Sequence, residues 1–197
     1  PVQDGHGKVR GCIVTFDNVT ELDRINTQLV AVVADLKKSQ AQIERQNDRL
    51  QELATLDPLT GCLNRRAFFE KTDALFVAVR KDDRSLCCVM SDIDHFKLFN
   101  DRHGHAIGDQ VLKVVSKQLV SGLRDDDLLC RYGGEEFCII LPDVNLEQAC
   151  SIVERMCNTI ETRAGLGVRS TQGLKVTSSF GVAALGPDTK DLEDLIG

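Results

Sequence analysis

The chain has 197 residues, 42% of them hydrophobic and 27% charged, which is the make-up of one globular domain of ordinary size plus an additional segment. Its net charge of −6 excludes a nucleic-acid surface built mainly on phosphate contacts, but not a nucleotide that arrives with a metal ion. No run of about 18 apolar residues occurs, so no transmembrane helix is expected. The eight cysteines form no C-x-x-C pair and sit mostly in apolar runs such as "LCCVM" and "FCII", the pattern of buried small hydrophobes in a reducing cytoplasm.

The opening "PVQDGHGKVRG" carries no methionine and reads as the interior of a longer protein. "KVRGCIVTFDNVT" alternates like a strand that ends in a turn, and Asp17 to Thr20 offer helix-capping side chains. A long helix is expected from Glu21 to Leu56. Leu22, Leu29, Leu36, Ile43 and Leu50 recur every seven residues, and Ile25, Val32, Ser39, Gln46 and Leu53 occupy the position three later. That is a coiled-coil seam of five heptads without proline or glycine, which predicts a parallel pairing of two copies of the chain. Its two polar members weaken the pair and fix its register.

Asp57-Pro58 ends this helix, because proline disfavours helix at the residue before it, and Thr60-Gly61 turns the chain. Beyond that point helix and strand patterns alternate: helix 64–80, strand 86–93, helix 108–121, a hairpin over 128–141, helix 145–162 and strand 175–185. The order predicts an α+β fold with a mainly antiparallel sheet flanked by helices. The segments are thus 1–20, 21–56 and 57–197.

The chemistry gathers at two strand ends. "LCCVMSDID" is a buried strand that finishes in carboxylates, Asp92 and Asp94, on one face. "RYGGEEF" places Gly133-Gly134 where a two-residue hairpin turn belongs, followed by Glu135 and Glu136 on opposite faces. If these strands pair, acidic groups crowd within a few ångströms, a repulsive arrangement unless a divalent cation sits among them. Oxygen donors of this kind suit Mg²⁺ held jointly with substrate phosphates, and two such ions serve in-line phosphoryl displacement. Between the strands, "HFKLFNDRHGHAIGD" carries Asn100 and Asp109. An amide and a carboxylate can read the donor edge of guanine; as turn and cap residues they would do nothing of the sort. His103-x-His105 lacks the spacing of a metal site.

"DPLTGCLNRRAF", "SDIDHFKLFNDRHGHAIGD" and "RYGGEEF" together resemble the GGDEF family of diguanylate cyclases, here with the GGEEF form of the signature, from about Asp57 to the C-terminus. The resemblance implies that two GTP molecules become cyclic di-GMP and two pyrophosphates. It implies that Asp92, Glu136 and the Ile93 carbonyl bind Mg²⁺, with Mn²⁺ as its substitute, and that Glu135 ligates metal or helps deprotonate the 3′-hydroxyl. Gly133 and Gly134 would let the triphosphate lie against the hairpin. The amides near His95 and Phe96, with the Lys97 charge, would hold phosphates, and Asn100 and Asp109 would recognise guanine. "RDDD" matches the family's R-x-x-D inhibitory product site at Arg124 and Asp127, with Arg155 as a third contact through its forked donors.

Family members continue past "KVTSSFGVAAL" with a helix bearing a lysine and an arginine that touch phosphates. Here "DLEDLIG" falls where that helix begins, so the GGDEF domain is expected to be truncated at its C-terminus. The N-terminal "PVQDGHGKVRGCIVTFDNVTE" resembles the last hairpin of a PAS sensor, which would make the coiled coil a signalling helix and the active form a homodimer. Two other readings compete: a GGDEF-like module that binds GTP or cyclic di-GMP without catalysis, and a purine nucleotide cyclase on a related fold. The first usually lacks the signature acids, which are present here, and the second does not explain "RYGGEEF" and "HGHAIGD" together.

Overall fold

The computed structural model describes residues 2–3, 5–11, 20–168 and 174–196. Their contacts divide the chain into two units, residues 1–49 and 50–197. In the first, β1 (Val2–Gln3) pairs antiparallel with β2 (Val9–Gly11), and the long helix α1 (Thr20–Thr55) begins. The strand expected over "KVRGCIVTFDNVT" is seen only as β2; residues 12–19 lie outside those described. Along α1, Ile25, Leu29, Val32, Leu36, Ile43, Leu50 and Leu53 are all exposed. No helix among the described residues is long and apolar enough to cross a membrane.

The second unit is built on a five-stranded sheet in the order β3-β5-β6-β4-β7. These strands are β3 (Leu63–Asn64), β4 (Leu86–Ile93), β5 (Leu128–Arg131), β6 (Glu136–Pro142) and β7 (Ser178–Ala184). Only the β3–β5 pair is parallel, so the sheet is mainly antiparallel as expected. β4 runs between β6 and β7, and its first four residues are all buried because helices cover both faces. Alternation sends Cys87, Val89 and Ile93 with Phe137, Ile139 and Leu141 to one side, against α4 (His105–Ser121) and α5 (Leu146–Gly167). Leu86 and Cys88 with Cys130, Cys138 and Ile140 face the other side, against α2 (Arg65–Lys81) and α6 (Leu192–Ile196).

The helices start where side chains satisfy their first amides. Asn64 caps α2 by accepting from the Ala67 amide, and Asn145 with Gln148 forms a reciprocal capping box on α5. Ala67, Phe68, Thr72, Phe76 and Val79 form the buried stripe of α2. Five of the seven described cysteines, Cys62, Cys87, Cys88, Cys130 and Cys138, are buried. Burial, with the neighbouring Cys62 and Cys88 adding to it, pushes the Cys130 thiol up to about 12, the behaviour of an inert core residue.

Two local expectations need correction. The stretch before Gly108 is not a turn: α3 (Phe96–His103) follows β4, and α4 starts at His105 rather than at 108. Gly104, at φ 84°, makes the single-residue break between them, so the glycine was a joint between helices. The β5–β6 connection is also wider than two residues. β5 stops at Arg131 and β6 begins at Glu136, with Arg131 opposite Phe137, so Glu135 belongs to the turn and not to the strand.

Candidate active site

The ladder between β4 and β6 sets Asp92 directly opposite Glu136. Both follow the alternation of Leu86, Cys88, Cys138 and Ile140, so both carboxylates lie on the α2/α6 side of the sheet, and both are exposed. Facing like charges destabilise a ladder, so this pair is kept at some cost to stability. Asp94 does not join them. It lies just past β4, where its carboxylate accepts from the Ser179 hydroxyl at 2.6 Å. Burial works to raise the Asp94 carboxyl, but hydrogen bonds from Ser179 and Thr177 and the His95 charge outweigh it and hold it low.

The turn closes on Glu136 from the other side. The amides of Tyr132 and Gly133 both donate to the Glu136 carbonyl, at 2.8 and 3.3 Å. A Cβ on Gly133 would stand 2.2 Å from Glu136 Oε2, so this glycine leaves room for the glutamate side chain; at Gly134 a Cβ would meet nothing within 4 Å. Gly134 is instead gripped through its backbone. Arg131 donates from Nε and Nη2 to the Gly134 carbonyl at 3.1 and 2.7 Å, and its other nitrogen pairs with Asp57 at 3.3 Å. Only 19% of the Arg131 and 16% of the Asp57 side chain is exposed, so solvent screens this pair little.

Asp57 is itself organised by Thr60, whose amide and hydroxyl donate to Oδ1 at 2.8 and 2.7 Å. Burial tends to raise its carboxyl, but the Thr60 bonds and the Arg131 charge prevail and depress it. A depressed folded value means that the Asp57 contribution to stability is complete above the ordinary carboxylate range and disappears as pH falls through the depressed value. Arg131→Ala is expected to cost roughly 1–3 kcal/mol, the scale for removing a partner from a poorly solvated charged group. At about 2–4 °C per kcal/mol for a chain of this size, thermal denaturation resolves it. An unchanged Tm would show that the clamp contributes nothing.

Arg131 and Asp57 were not among the residues expected to serve the site. Arg131 stands within "RYGGEEF" and its charge beside the turn was visible. Its partner lies 74 positions earlier, and no local pattern announces that contact.

The other expected residues fall around α3 and α4. His95 precedes α3 in a left-handed conformation, φ 57°, an uncommon state for a non-glycine residue. It lets the chain reverse from β4 so that the first amides of α3, near Phe96 and Lys97, sit free of intrahelical partners. Phe96 is buried, whereas His95 and Lys97 are exposed. Asn100, on α3, has a buried Oδ1 with no hydrogen-bond partner among the described residues. Asp109 is exposed on α4, immediately after Gly108, which touches Asn100. Arg124 and Asp127 form one turn. The Arg124 amide donates to Asp127 Oδ2 at 2.7 Å, and Arg155 reaches over from α5 to the Gly122 carbonyl at 3.3 Å. Burial raises the Asp127 carboxyl despite that bond.

An open groove of about 1070 Å³ runs along α3, lined by Asp94, His95, Leu98, Arg102, Lys175 and Thr177 among others. Asp92, Glu136, Asn100 and Asp109 are not on its walls.

A family model described as "Diguanylate cyclase, GGDEF domain" matches residues 54–197. Among curated proteins, the response regulator PleD of Caulobacter vibrioides is 37% identical over 166 residues, covering 81% of this chain and 37% of its own length. The diguanylate cyclase VdcA of Vibrio cholerae is 36% identical over 174 residues, covering 88% and 49%. The chain therefore spans less than half the length of these relatives. Among solved structures, the coiled coil and GGDEF domain of DgcB from Caulobacter crescentus, in complex with c-di-GMP, superposes with a TM-score of 0.72 at 30% identity. It covers 84% of this chain and 88% of that one. The active GGEEF domain of a diguanylate cyclase from Vibrio cholerae gives 0.60 at 32% identity, over 68% and 83%. With the family model matching most of its length, and Glu136 of the signature directly opposite Asp92, the chain belongs to the GGDEF family.

Proposed function

We propose that this chain is the catalytic part of a diguanylate cyclase, joining two GTP molecules into cyclic di-GMP with release of two pyrophosphates. The observation that carries the reading is the in-register pairing of Asp92 with Glu136 beside a glycine turn shaped around the Glu136 side chain. The buried, unpartnered oxygen of Asn100 adds to it, since a purine donor is what such an atom lacks.

The donor set fits a hard divalent cation. Mg²⁺ binds through one or two carboxylates with the remaining positions left to water and substrate phosphates. Asp92 and Glu136 supply two facing carboxylates, with the Ile93 carbonyl and Glu135 close in sequence. No cluster of three or more His, Cys, Asp or Glu side chains is poised for a metal among the described residues, so the protein offers part of a shell rather than a cage. Bound there, Mg²⁺ or Mn²⁺ would supply charge neutralisation at the phosphates and at the reacting oxygens.

The protein's own groups do the rest by placement. The free amides at the start of α3 and the Lys97 charge hold phosphate oxygens, because a helix N-terminus presents unsatisfied donors. Asn100 and Asp109 orient the guanine. Glu135, in the turn, accepts the proton of the attacking 3′-hydroxyl. The O3′–Pα bond forms, the bond from Pα to the bridging oxygen of the β-phosphate breaks, and pyrophosphate departs with that electron pair. A second such transfer closes the ring. Each domain holds one nucleotide, so two must meet, and α1 brings them together through its exposed heptad seam, with residues 1–20 as the tail of a PAS-like sensor. The segments 1–20, 21–56 and 57–197 thus act as sensor remnant, signalling helix and cyclase.

Incubating the full-length protein with GTP and Mg²⁺ and identifying the product tests this. Cyclic di-GMP and pyrophosphate in a 1:2 ratio are expected. Nucleotide binding without product would leave a binding module, and a monocyclic product would make it a purine nucleotide cyclase. Arg124, Asp127 and Arg155 form the inhibitory product site. Arg124→Ala should raise the half-inhibitory concentration of cyclic di-GMP by roughly tenfold or more, the worth of charge-assisted hydrogen bonds. Inhibition equal to the parent protein would refute that assignment.

A further inference from the structure

Gly108 is the fourth residue of α4, and its amide donates to the Gly104 carbonyl at 3.2 Å, as a helical residue's would. It does not stand among the residues of positive φ, so backbone conformation does not call for glycine there. Glycine inside a helix instead costs about 0.5–1 kcal/mol relative to alanine. Something else must require it. A Cβ at this position would lie 1.8 Å from Asn100 Oδ1, 2.9 Å from Asn100 Cγ and 3.2 Å from Phe96 Cζ. The Asn100 amide therefore occupies the volume that any side chain at 108 would fill, and the Phe96 ring narrows the way around it.

The single-residue link at Gly104 sets this contact. Asn100 lies one turn before the link on α3 and Gly108 one turn after it on α4, and the Gly104 amide donates to the Asn100 carbonyl at 2.8 Å. The backbone of Asn100 is fixed from one side while its side chain rests on bare helix on the other. Its Oδ1 is thereby held buried and without a hydrogen-bond partner among the described residues. Keeping a buried acceptor unpaired is costly, of order 1–3 kcal/mol, unless a ligand completes it.

We propose that Gly108 is a specificity-determining positioning residue. By leaving room for the Asn100 amide, it seats that amide where Oδ1, which rests closed off against α4, can turn out to a donor that guanine carries and hypoxanthine lacks, the exocyclic 2-amino group. This rests on the reading that Asn100 contacts the base. Gly108 does not touch the nucleotide; it acts through Asn100.

The test is titration of the full chain with 3′-deoxy-GTP and 3′-deoxy-ITP, which lack the attacking hydroxyl, so that affinity is read without turnover. The parent chain should bind the guanine nucleotide roughly tenfold more tightly, the value of one hydrogen bond. Gly108→Ala should lose that preference while affinity for 3′-deoxy-ITP stays within about twofold, and Asn100→Ser should do the same. The double variant should match Asn100→Ser alone, because the shorter side chain removes the collision. Should Gly108→Ala fail to fold, recovery of folding in the double variant supports the contact, and failure to recover overturns the proposal. A retained guanine preference in a folded Gly108→Ala overturns it too, as does equal weakening of both nucleotides. If the parent chain itself shows no preference, the guanine reading of Asn100 fails first, and the role of Gly108 falls with it.

Discussion

Replacing Asp92 with asparagine, or Glu136 with glutamine, should remove cyclase activity by roughly 10²–10³-fold, the scale on which single charge-stabilising groups act in a transition state. The stability of these variants should move the other way. The two carboxylates face each other across the β4–β6 ladder, and like charges at directly opposed positions are unfavourable. Neutralising one relieves that opposition without touching the core, since both side chains are exposed. The variants should therefore melt at the same temperature as the parent or slightly above it. Activity lost together with a fall in Tm would mean that the residues serve the fold. Activity retained would mean that the reaction does not use them.

A second large effect is expected from the long helix. Leu36 and Ile43 are 66% and 54% exposed along α1, one heptad apart on the same seam. Glutamate at both positions would place like charges at the centre of a paired helix. If pairing of α1 brings the two GTP-loaded domains together, it acts as an effective concentration in the millimolar range. Assayed at about 1 μM chain, the double variant should then be slower by about 10³-fold, with a rate that rises as the square of protein concentration. Sedimentation should show the variant as a monomer. A monomeric variant with full turnover would contradict dimer dependence.

The sequence carried some of these features openly. β4 was legible as far as its boundaries, because Leu86 to Met90 form an unbroken run of five apolar residues, the first four of them buried, with Asp92 following close behind. Asn145 and Gln148 lie at the start of α5 with the spacing of a reciprocal cap, and the helix begins close to where its pattern does. α3 was not legible. It has eight residues, of which only Phe96 is buried, so it shows no apolar periodicity, and its asparagine and the glycine that follows it resemble turn residues. The turn after β5 was misjudged for a related reason. A glycine pair suggests a two-residue hairpin, but here Tyr132 and Gly133 share the Glu136 carbonyl and Arg131 holds the Gly134 carbonyl, which widens the loop.

The candidate site divides in the same way. That Asp92 and a signature glutamate lie near each other follows from strand pairing, and motif spacing was enough to suggest it. Which glutamate faces Asp92 depends on register, and a slip of one residue would exchange the sides. The register puts Glu136 opposite Asp92 and leaves Glu135 in the turn. The support beneath the site could not be read locally. Asp57 marks the end of a helix in the sequence, yet in the fold it anchors Arg131, which anchors Gly134. Gly108 could pass for any helix glycine until its distance to Asn100 is known.

The most direct measurement is the binding of Mn²⁺, followed by its electron paramagnetic resonance, to the full chain in the presence and absence of 3′-deoxy-GTP. Tight binding only when the nucleotide is present, abolished in the Asp92→Asn/Glu136→Gln double variant, is the expected result. Unaltered nucleotide-dependent Mn²⁺ binding in that variant would contradict the account, because the ion would then be held without the two carboxylates that the β4–β6 register brings face to face.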